Sequence, residues 1–246
     1  MVKIKVGIVG VTGSIGVQTI NVISHNPDMF DIVMMTAHVN KESLSSYANL
    51  YNCSNYFLTS KVGSRPVLDF IGDSELDILV VASEGISGLD YTYAAIERGI
   101  PVALANKESL VLMGHLMAPL LRSFSMQSTN GYPPIIPLDS EHSAIFQSML
   151  GHHKGGIEKI VLTASGGPFR DYSKSMLSSV TKEEALRHPN WSMGSKITID
   201  SATMTNKALE IIEAHYLFNI PVESLDIVIH RQSIVHSYVQ YRDGSV

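Results

Sequence analysis

The feature that most constrains this chain is a glycine loop close to its start. Gly10, Gly13 and Gly16 are spaced GxxGxxG between an apolar, β-branched segment, Lys3–Val9, and a segment with helical spacing, Ser14–Ser24. Glycines in a strand-to-helix turn let the backbone approach a phosphate group, which then lies on the helix N-terminus. The spacing alone is a modest signal, but in this context it favours a nucleotide site over a merely tight turn.

Strand and helix patterns alternate through the first half of the chain. Strands are predicted at Phe30–Ala37, Asn55–Leu58, Asp77–Ala82 and Ile100–Leu104, and helices at Lys41–Tyr51, Leu89–Arg98 and Ser109–Phe124. This order predicts an α/β fold with a doubly wound parallel sheet. A polar stretch that ends in Pro133-Pro134 indicates a boundary, so we expect a Rossmann-like nucleotide-binding domain over residues 1–130.

The second half is less regular, and we expect an α+β catalytic domain over residues 131–246. Its predicted strands are Ile135–Leu138, Ile157–Ala164, Ile197–Asp200, Val222–Val228 and Ser233–Arg242. Its predicted helices are Ser143–Met149, a short one near Thr181–Arg187, and the long Thr203–Phe218.

Composition excludes several classes of protein. A length of 246 residues suits two domains, and a net charge of −5 argues against a nucleic-acid binder. The apolar stretches are too short to cross a membrane, and the start of the chain reads as a strand rather than a targeting peptide. The single cysteine, Cys53, forms no internal disulfide, so we expect a cytoplasmic protein.

The end of the second strand bears on the choice of nucleotide. NAD sites usually place an acidic residue there to hold the ribose hydroxyls, but Thr36–Lys41 contains none. This favours NADP, with Asn40, and His38 or Lys41, meeting the 2′-phosphate. The alternative is that these residues only cap the next helix.

Two groups of acidic residues indicate a metal site. After a short strand, Asp139 and Glu141 flank Ser140, and extended backbone would direct both carboxylates to one side. The predicted helix Thr203–Phe218 carries a polar stripe, whose members are Asn206, Lys207, Glu210 and Glu213. Three carboxylates suit Mg²⁺ or Mn²⁺ better than zinc. The alternatives are a solvated strand end and a wet helix face with a Lys207–Glu210 pair.

Three loops add polar groups. A glycine turn, Ser165–Pro168, is either an anion site or a simple turn. His188–Trp191 holds the only tryptophan in an irregular stretch, which indicates a lid rather than core. Asn106–Ser109 follows a strand at the sheet edge where ligands bind in open α/β folds.

Together these motifs resemble the 1-deoxy-D-xylulose 5-phosphate reductoisomerase family, across the whole chain. The motifs that carry the resemblance are Gly10–Gly16, Leu104–Leu110, Pro137–His142, Ser165–Arg170, His188–Gly194 and Asp200–Glu210.

The resemblance implies roles for matching residues. The implied metal ligands are Asp139, Glu141 and Glu210. The implied substrate contacts and catalytic residues are Lys107, Ser140, Ser165, His188, Ser201, Asn206 and Lys207, with Glu210 also counted here and Trp191 in the lid. The implied NADPH contacts are Thr12, Gly13, Ser14, Ile15, Asn40, Asn106, Glu108 and Gly194.

The resemblance further implies an NADPH- and Mg²⁺- or Mn²⁺-dependent conversion of 1-deoxy-D-xylulose 5-phosphate, a sugar phosphate, into 2-C-methyl-D-erythritol 4-phosphate for isoprenoid synthesis. It implies a bacterial, cytoplasmic homodimer that binds neither nucleic acid nor membrane. Two alternatives stay open: a metal-independent dehydrogenase of the semialdehyde kind, and a non-catalytic module that senses a nucleotide.

Two departures from the family pattern are visible. His38-Val39 stand where some members carry Gly-Lys, so the resemblance supplies no cation for the 2′-phosphate. Family members continue into a further helical domain, whereas this chain stops at Val246 on a turn signal. We therefore expect a C-terminally shortened form of the family's chain.

Overall fold

The computed structural model describes residues 2–124, 132–191 and 194–246. The chain divides into two compact units, Met1–Leu138 and Asp139–Val246.

A parallel sheet forms the centre of the first unit. Its strands are β1 (Ile4–Val9), β2 (Phe30–Ala37), β3 (Tyr56–Leu58), β4 (Ile78–Val81), β5 (Val102–Leu104) and β6 (Ile135–Pro137). They pair in the order β3-β2-β1-β4-β5-β6, and every pair is parallel. This is the strand order of doubly wound dinucleotide-binding folds, and the predicted fold class is confirmed.

Helices connect these strands. They are α1 (Ser14–His25), α2 (Lys41–Leu50), α3 (Thr59–Val62), α4 (Arg65–Asp73), α5 (Leu89–Glu97) and α6 (Lys107–Phe124), with a 3₁₀ turn at Gly85–Gly88. Sequence patterns did not predict α3 and α4, which lie between β3 and β4. The central strands are mostly apolar, as expected of a parallel sheet covered by helices on both faces; Ile8, Met35 and Leu79 are fully buried.

The strand predicted at Ile135–Leu138 joins the first unit, not the second. As β6 it pairs with β5, with Ile136 opposite Ala103, and its Ile135 is buried. A three-residue strand gives no sequence signal for the sheet it joins, so the boundary between the units lies after Leu138 rather than near residue 130.

The second unit contains a smaller, mixed sheet. Its strands are β7 (Ile157–Ala164), β8 (Leu225–Ile229) and β9 (Ser237–Tyr241), in the order β8-β7-β9, with β8 parallel and β9 antiparallel to β7. Its helices are α7 (Ser140–Met149), α8 (Lys174–Leu177), α9 (Lys182–Ala185), α10 (Ser195–Ala202) and α11 (Thr205–Phe218), with 3₁₀ turns at Lys154–Gly156 and Val222–Ser224. Apolar residues of α7, α11, β7 and β9 form one core that includes Ile145, Ile160, Ala214, Phe218 and Val239.

The strand predicted within the second unit at Ile197–Asp200 is not observed; this segment lies within α10. Its β-branched residues favour a strand, yet so short an apolar run fits either structure. The Gly194 carbonyl accepts hydrogen bonds from both the amide and the hydroxyl of Thr198, and these bonds begin a helix here.

Among the helices that the structure describes, none combines the length and the apolar character needed to cross a membrane.

Candidate active site

In the first unit, the backbone conformation and backbone hydrogen bonds determine the shape of the glycine loop. Gly10 has a φ of +85°, and its amide donates to the Thr36 carbonyl at 3.1 Å. A Cβ on Gly16 would lie 2.2 Å from the Gly10 oxygen, so only glycine fits there. Gly13 is the N-cap of α1 and has no side chain, which leaves the first amides of α1 available to an anion. Thr12, Ser14 and Ile15 complete this turn, and Ser14 is exposed.

At the end of β2, the helix-capping alternative is observed for Asn40. Its side-chain oxygen accepts a hydrogen bond from the Ser43 amide at 3.0 Å. His38 Nδ1 lies 3.2 Å from the Thr59 hydroxyl. Asn40 and Lys41 remain exposed, so capping leaves their outer atoms accessible to a ligand.

Asn106 stabilises the loop after β4 through side-chain hydrogen bonds. It is buried, and its amide nitrogen donates to the carbonyls of Ser83 at 2.8 Å and Gly85 at 2.6 Å. Its oxygen accepts from the Ser109 amide at 3.1 Å. Glu108 is half-buried and Lys107 is buried at the start of α6. This predicted group therefore shapes the C-terminal edge of the first sheet.

In the second unit, Asp139 and Glu141 lie at the start of a helix, which the sequence did not predict. They were expected on extended backbone, but Asp139 is the N-cap of α7, and Ser140 and Glu141 lie in its first turn. The Asp139 carboxylate accepts from the Glu141 amide at 3.2 Å. Aspartate favours N-caps because it satisfies these amides, so the helix begins three residues before the predicted Ser143.

Carboxylate oxygens of Asp139, Glu141 and Glu210 lie within 4.8 Å of one another. Glu210 comes from α11 and is 1% exposed. The buried ammonium of Lys207 contacts Glu141 at 3.0 Å and also pairs with Glu210. The Lys207–Glu210 pair expected as an alternative thus exists, but within the carboxylate cluster rather than on a wet face.

His142 supports this cluster from inside α7. It is completely buried, with Nδ1 3.1 Å from Asp139, and with Nε2 3.0 Å from the Glu210 carbonyl. Burial alone would lower the pKa of His142, but Glu213, Asp139 and Glu210 outweigh it and raise this pKa to about 9. We expect both ring nitrogens to carry protons, since a carboxylate and a carbonyl can only accept.

Glu213 lies on the same helix as Glu210, with an oxygen 3.5 Å from His142 Nδ1. With Glu213, four carboxylates lie close to two cationic side chains, Lys207 and His142, so negative groups outnumber positive ones here. A divalent cation would reduce this excess of negative charge. His142 was not among the residues predicted for the site; its position three residues after Asp139, inside a helix, was the available signal.

A cavity of about 380 Å³ opens beside the cluster. Predicted residues that line it are Asp139, Ser140, Glu141, Ser165, Trp191, Ser201, Asn206, Lys207 and Glu210. Further lining residues that the sequence analysis did not single out include Ile197, Met204, Ser233, Val235 and His236. They come from α10, the α10–α11 link and the loop before β9, whose positions beside the cavity depend on the tertiary fold.

The loop with Trp191 borders this cavity. The indole is 51% exposed and lies 6.4 Å from the His236 ring. The side-chain nitrogen of Asn190 donates to the Arg231 carbonyl and to the Ser233 hydroxyl, each at 2.8 Å. Gly194 is the exposed N-cap of α10. Trp191 is therefore surface-accessible in a loop, not a core residue.

Ser165 follows β7 directly and begins the glycine turn, where Gly166 and Gly167 both have positive φ. Its hydroxyl lies 3.1 Å from His188 Nε2. Burial, and then the charge of Arg170, lower the pKa of His188, which favours its neutral form.

Comparison with known proteins agrees with this description. The model of the 1-deoxy-D-xylulose 5-phosphate reductoisomerase family matches residues 6–61 and 51–114, and that of the family's C-terminal domain matches residues 135–218. A reductoisomerase of this name from Geobacillus sp. (strain WCH70) is 44% identical over 98% of this chain and 66% of its own length.

Solved structures give the same result. The Zymomonas mobilis reductoisomerase in complex with NADPH superposes with a TM-score of 0.88 at 38% identity, covering 99% of this chain and 66% of that one. A reductoisomerase in complex with NADPH, fosmidomycin and magnesium superposes with a TM-score of 0.84 at 35% identity, covering 98% and 65%. The chain thus spans about 66% of the length of such relatives, and it belongs to the 1-deoxy-D-xylulose 5-phosphate reductoisomerase family.

Proposed function

We propose that this chain carries the NADPH- and metal-binding parts of an enzyme that converts 1-deoxy-D-xylulose 5-phosphate into 2-C-methyl-D-erythritol 4-phosphate. The observation that carries the proposal is the convergence of Asp139, Glu141 and Glu210 beside a cavity, in a chain of this family.

The carboxylate cluster fits a divalent metal. Its three converging groups are hard oxygen donors, the class that Mg²⁺ and Mn²⁺ prefer, and the cluster as a whole has an excess of negative charge. A relative crystallised with magnesium supports the same choice. When bound, such a cation polarises the carbonyl and hydroxyl oxygens of a substrate. Asp139, Glu141 and Glu210 would hold it.

The first unit would hold NADPH. Its glycine loop offers the amides of α1 to the pyrophosphate, with Thr12, Gly13, Ser14 and Ile15 in the turn. Asn40 lies where a 2′-phosphate is expected, and Asn106 and Glu108 lie at the sheet edge. Gly194 is proposed as a further contact on family resemblance. When bound, NADPH supplies the hydride of the reduction.

The substrate would lie in the cavity of the second unit. Ser165, Ser201, Asn206 and Lys207 line it with donors that suit a phosphate, and Ser140 lies beside the carboxylates. Trp191 would cover the substrate and exclude water, and Lys107 is proposed as a further contact. Holding the phosphate aligns the carbon skeleton for its rearrangement, which precedes reduction.

The proposal includes a homodimer in the bacterial cytoplasm, with Mn²⁺ as an alternative to Mg²⁺. Light scattering on the purified chain tests the assembly, and a monomer at all concentrations would contradict it.

One assay tests the activity. NADPH consumption is followed with 1-deoxy-D-xylulose 5-phosphate, first after treatment with a chelator and then with Mg²⁺ or Mn²⁺ restored. We expect turnover only with metal. Turnover that ignores the chelator would favour a simple dehydrogenase, and NADPH binding without turnover would favour a nucleotide-sensing module; either result would contradict the proposal.

A further inference from the structure

A buried polar network joins the loop after β4 to the start of α6. At its centre is the carboxamide of Asn106, which is 1% exposed, and beneath it lie Thr92 and Ser109, which have no exposed surface. Neither Thr92 nor Ser109 was among the residues predicted for a site. Buried polar groups are costly unless they are hydrogen-bonded, so the partners of each member show what the network holds in place.

Ser109 selects one of the two orientations of the Asn106 carboxamide. Its backbone amide, at 3.1 Å, and its hydroxyl both donate to Asn106 Oδ1. Asn106 Nδ2 therefore faces the other way and donates to the carbonyls of Ser83 at 2.8 Å and Gly85 at 2.6 Å. In the flipped orientation, the oxygen would face these two acceptors and the nitrogen would face the Ser109 amide, a donor. The contacts of Ser109 thus keep the donor side of Asn106 against the loop.

Gly88 lets this loop lie directly against the carboxamide. A Cβ on Gly88 would lie 2.7 Å from Asn106 Cγ and 2.8 Å from Ser83 Oγ, and its φ of −86° is open to any residue, so glycine is required here by space alone. The Thr92 hydroxyl donates to the Gly88 carbonyl at 2.9 Å. Residues 83–88, which we call the β4 loop, are therefore held at their start by Asn106 and at their end by Thr92.

The β4 loop lies where a dinucleotide would cross the sheet. β1 and β4 are neighbours at the reversal of strand order, which is where folds of this kind bind dinucleotides. A Cβ on Gly10 would lie 2.9 Å from the Ala82 oxygen and 3.0 Å from the Ser83 nitrogen, so the glycine loop packs directly against the start of the β4 loop. In such folds the first turn takes the pyrophosphate and the end of β2 takes the adenosine ribose, which leaves the β4 side for the other nucleotide.

We propose that Ser109 is a positioning residue for the nicotinamide half of NADPH: by fixing the orientation of Asn106, it holds the β4 loop in shape before the cofactor binds. The inference rests on the proposed function for the identity of the cofactor. Asn106 and Glu108 keep the cofactor contacts proposed above, and Ser109 acts behind them. Asn106 Nδ2 also lies 3.4 Å from the Glu108 carboxylate, so the orientation that Ser109 fixes extends to Glu108.

Two ligands separate the halves of the cofactor site. NADPH spans both halves, whereas adenosine 2′,5′-bisphosphate carries only the adenosine half with its 2′-phosphate. We expect Ser109→Ala to bind NADPH roughly tenfold more weakly, the loss that one buried hydrogen bond accounts for, and to bind the bisphosphate within about twofold of the parent. Calorimetric titration measures both affinities. Equal weakening of both ligands would show a general loss of structure, and an unchanged NADPH affinity would show no role; either result overturns the proposal.

Ser123→Ala is the matched control. Ser123 lies on the same helix, and its hydroxyl donates to the Leu120 carbonyl at 3.0 Å, within that helix. Both affinities should stay at the parent values. An NADPH loss equal to that of Ser109→Ala would show that any serine of α6 has this effect, which contradicts a specific role for Ser109.

Ser109→Thr and Ser109→Val separate the hydroxyl from the packing. Threonine and valine have nearly the same shape, so both variants add the same bulk at a buried position, but only threonine keeps a hydroxyl donor. We expect Ser109→Thr to bind NADPH at least about fivefold more tightly than Ser109→Val, again the effect of one hydrogen bond. Equal affinities would show that the hydroxyl does not act and would overturn the proposal.

Asn106→Ala tests whether Ser109 acts through Asn106. In that background, Ser109→Ala should weaken NADPH binding no further. Additive losses would show a separate action of Ser109 and overturn the positioning role, as would a parent chain that does not bind NADPH. Absence of turnover with 1-deoxy-D-xylulose 5-phosphate, with the NADPH and bisphosphate affinities as expected, would contradict the proposed function alone.

Discussion

The glycine loop and the carboxylate cluster are both candidate binding sites, but they use different chemical groups. The loop uses backbone amides, and the close approach of Gly16 to the Gly10 oxygen is possible only because glycine has no side chain. The cluster is made of charged side chains that are largely withdrawn from water, such as Lys207 and Glu141, which lie 66 positions apart. A backbone site is specified locally, whereas a charged site needs the whole second unit to bring its members together.

The largest expected effect tests the charged site. Glu210→Gln removes one carboxylate but keeps the size of the side chain, so we expect metal-dependent turnover to fall by more than about a hundredfold. NADPH binding should be retained, because the glycine loop is untouched. Turnover and NADPH affinity are measured with Mg²⁺ present.

Asp226→Asn is the control for Glu210→Gln. Asp226 is an exposed carboxylate that pairs with Lys159 on the surface of the same unit. Exposed pairs contribute little, so activity should be unchanged. Full activity in Glu210→Gln would end the three-carboxylate model.

The next effect tests the backbone site. Gly16→Ala places a methyl carbon 2.2 Å from the backbone oxygen of Gly10, which is too close, so the turn must open. We expect a loss of about 1–3 kcal/mol in unfolding free energy, the usual cost of overpacking, and loss of NADPH binding. Denaturant unfolding and NADPH titration measure these losses.

Gly13→Ala is the matched variant, because its Cβ would lie 3.4 Å from the Gly10 oxygen and its φ of −79° is allowed. Its unfolding free energy should stay near that of the parent. Equal destabilisation in both variants would show that the close approach at Gly16 is not what constrains the loop.

A smaller effect is expected at the loop that borders the cavity. Trp191→Ala removes a half-exposed ring, and we expect substrate binding to weaken by roughly tenfold and NADPH binding to change less. Trp191→Phe should restore part of the loss because it keeps an aromatic ring. Equal losses for both ligands would indicate a packing role instead.

The smallest effect separates two roles of Asn40. Asn40→Asp keeps a side-chain oxygen that caps α2, so stability should be unchanged, whereas Asn40→Ala should lose about 1 kcal/mol. If Asn40 also meets the 2′-phosphate, the negative charge of Asn40→Asp lowers the preference for NADPH over NADH. Unfolding and titration with both nucleotides measure this, and an unchanged preference would leave capping as its only role.

The features that could be predicted from the sequence were those specified by neighbouring residues, as at the glycine loop, and not those that depend on tertiary contacts. The glycine loop, β2 and β7 were predicted at or near their observed bounds because glycine spacing and apolar runs are local signals. Ile197–Asp200 was mistaken for a strand because its short run fits either structure. Asp139 and Glu141 were expected on extended backbone, because the pattern did not reveal that Asp139 caps a helix.

The sequence by itself determined the doubly wound sheet, the glycine loop at its edge and the residue types of the candidate metal site, since each depends on spacing along a few residues. Only the tertiary structure decided that Glu210 reaches Asp139 and Glu141, that His142 supports them, and that the His188 ring lies within hydrogen-bonding distance of Ser165. These contacts join distant segments. Their geometry follows from the packing of α7 and α11 on one core, and from loop amides that no local pattern specifies.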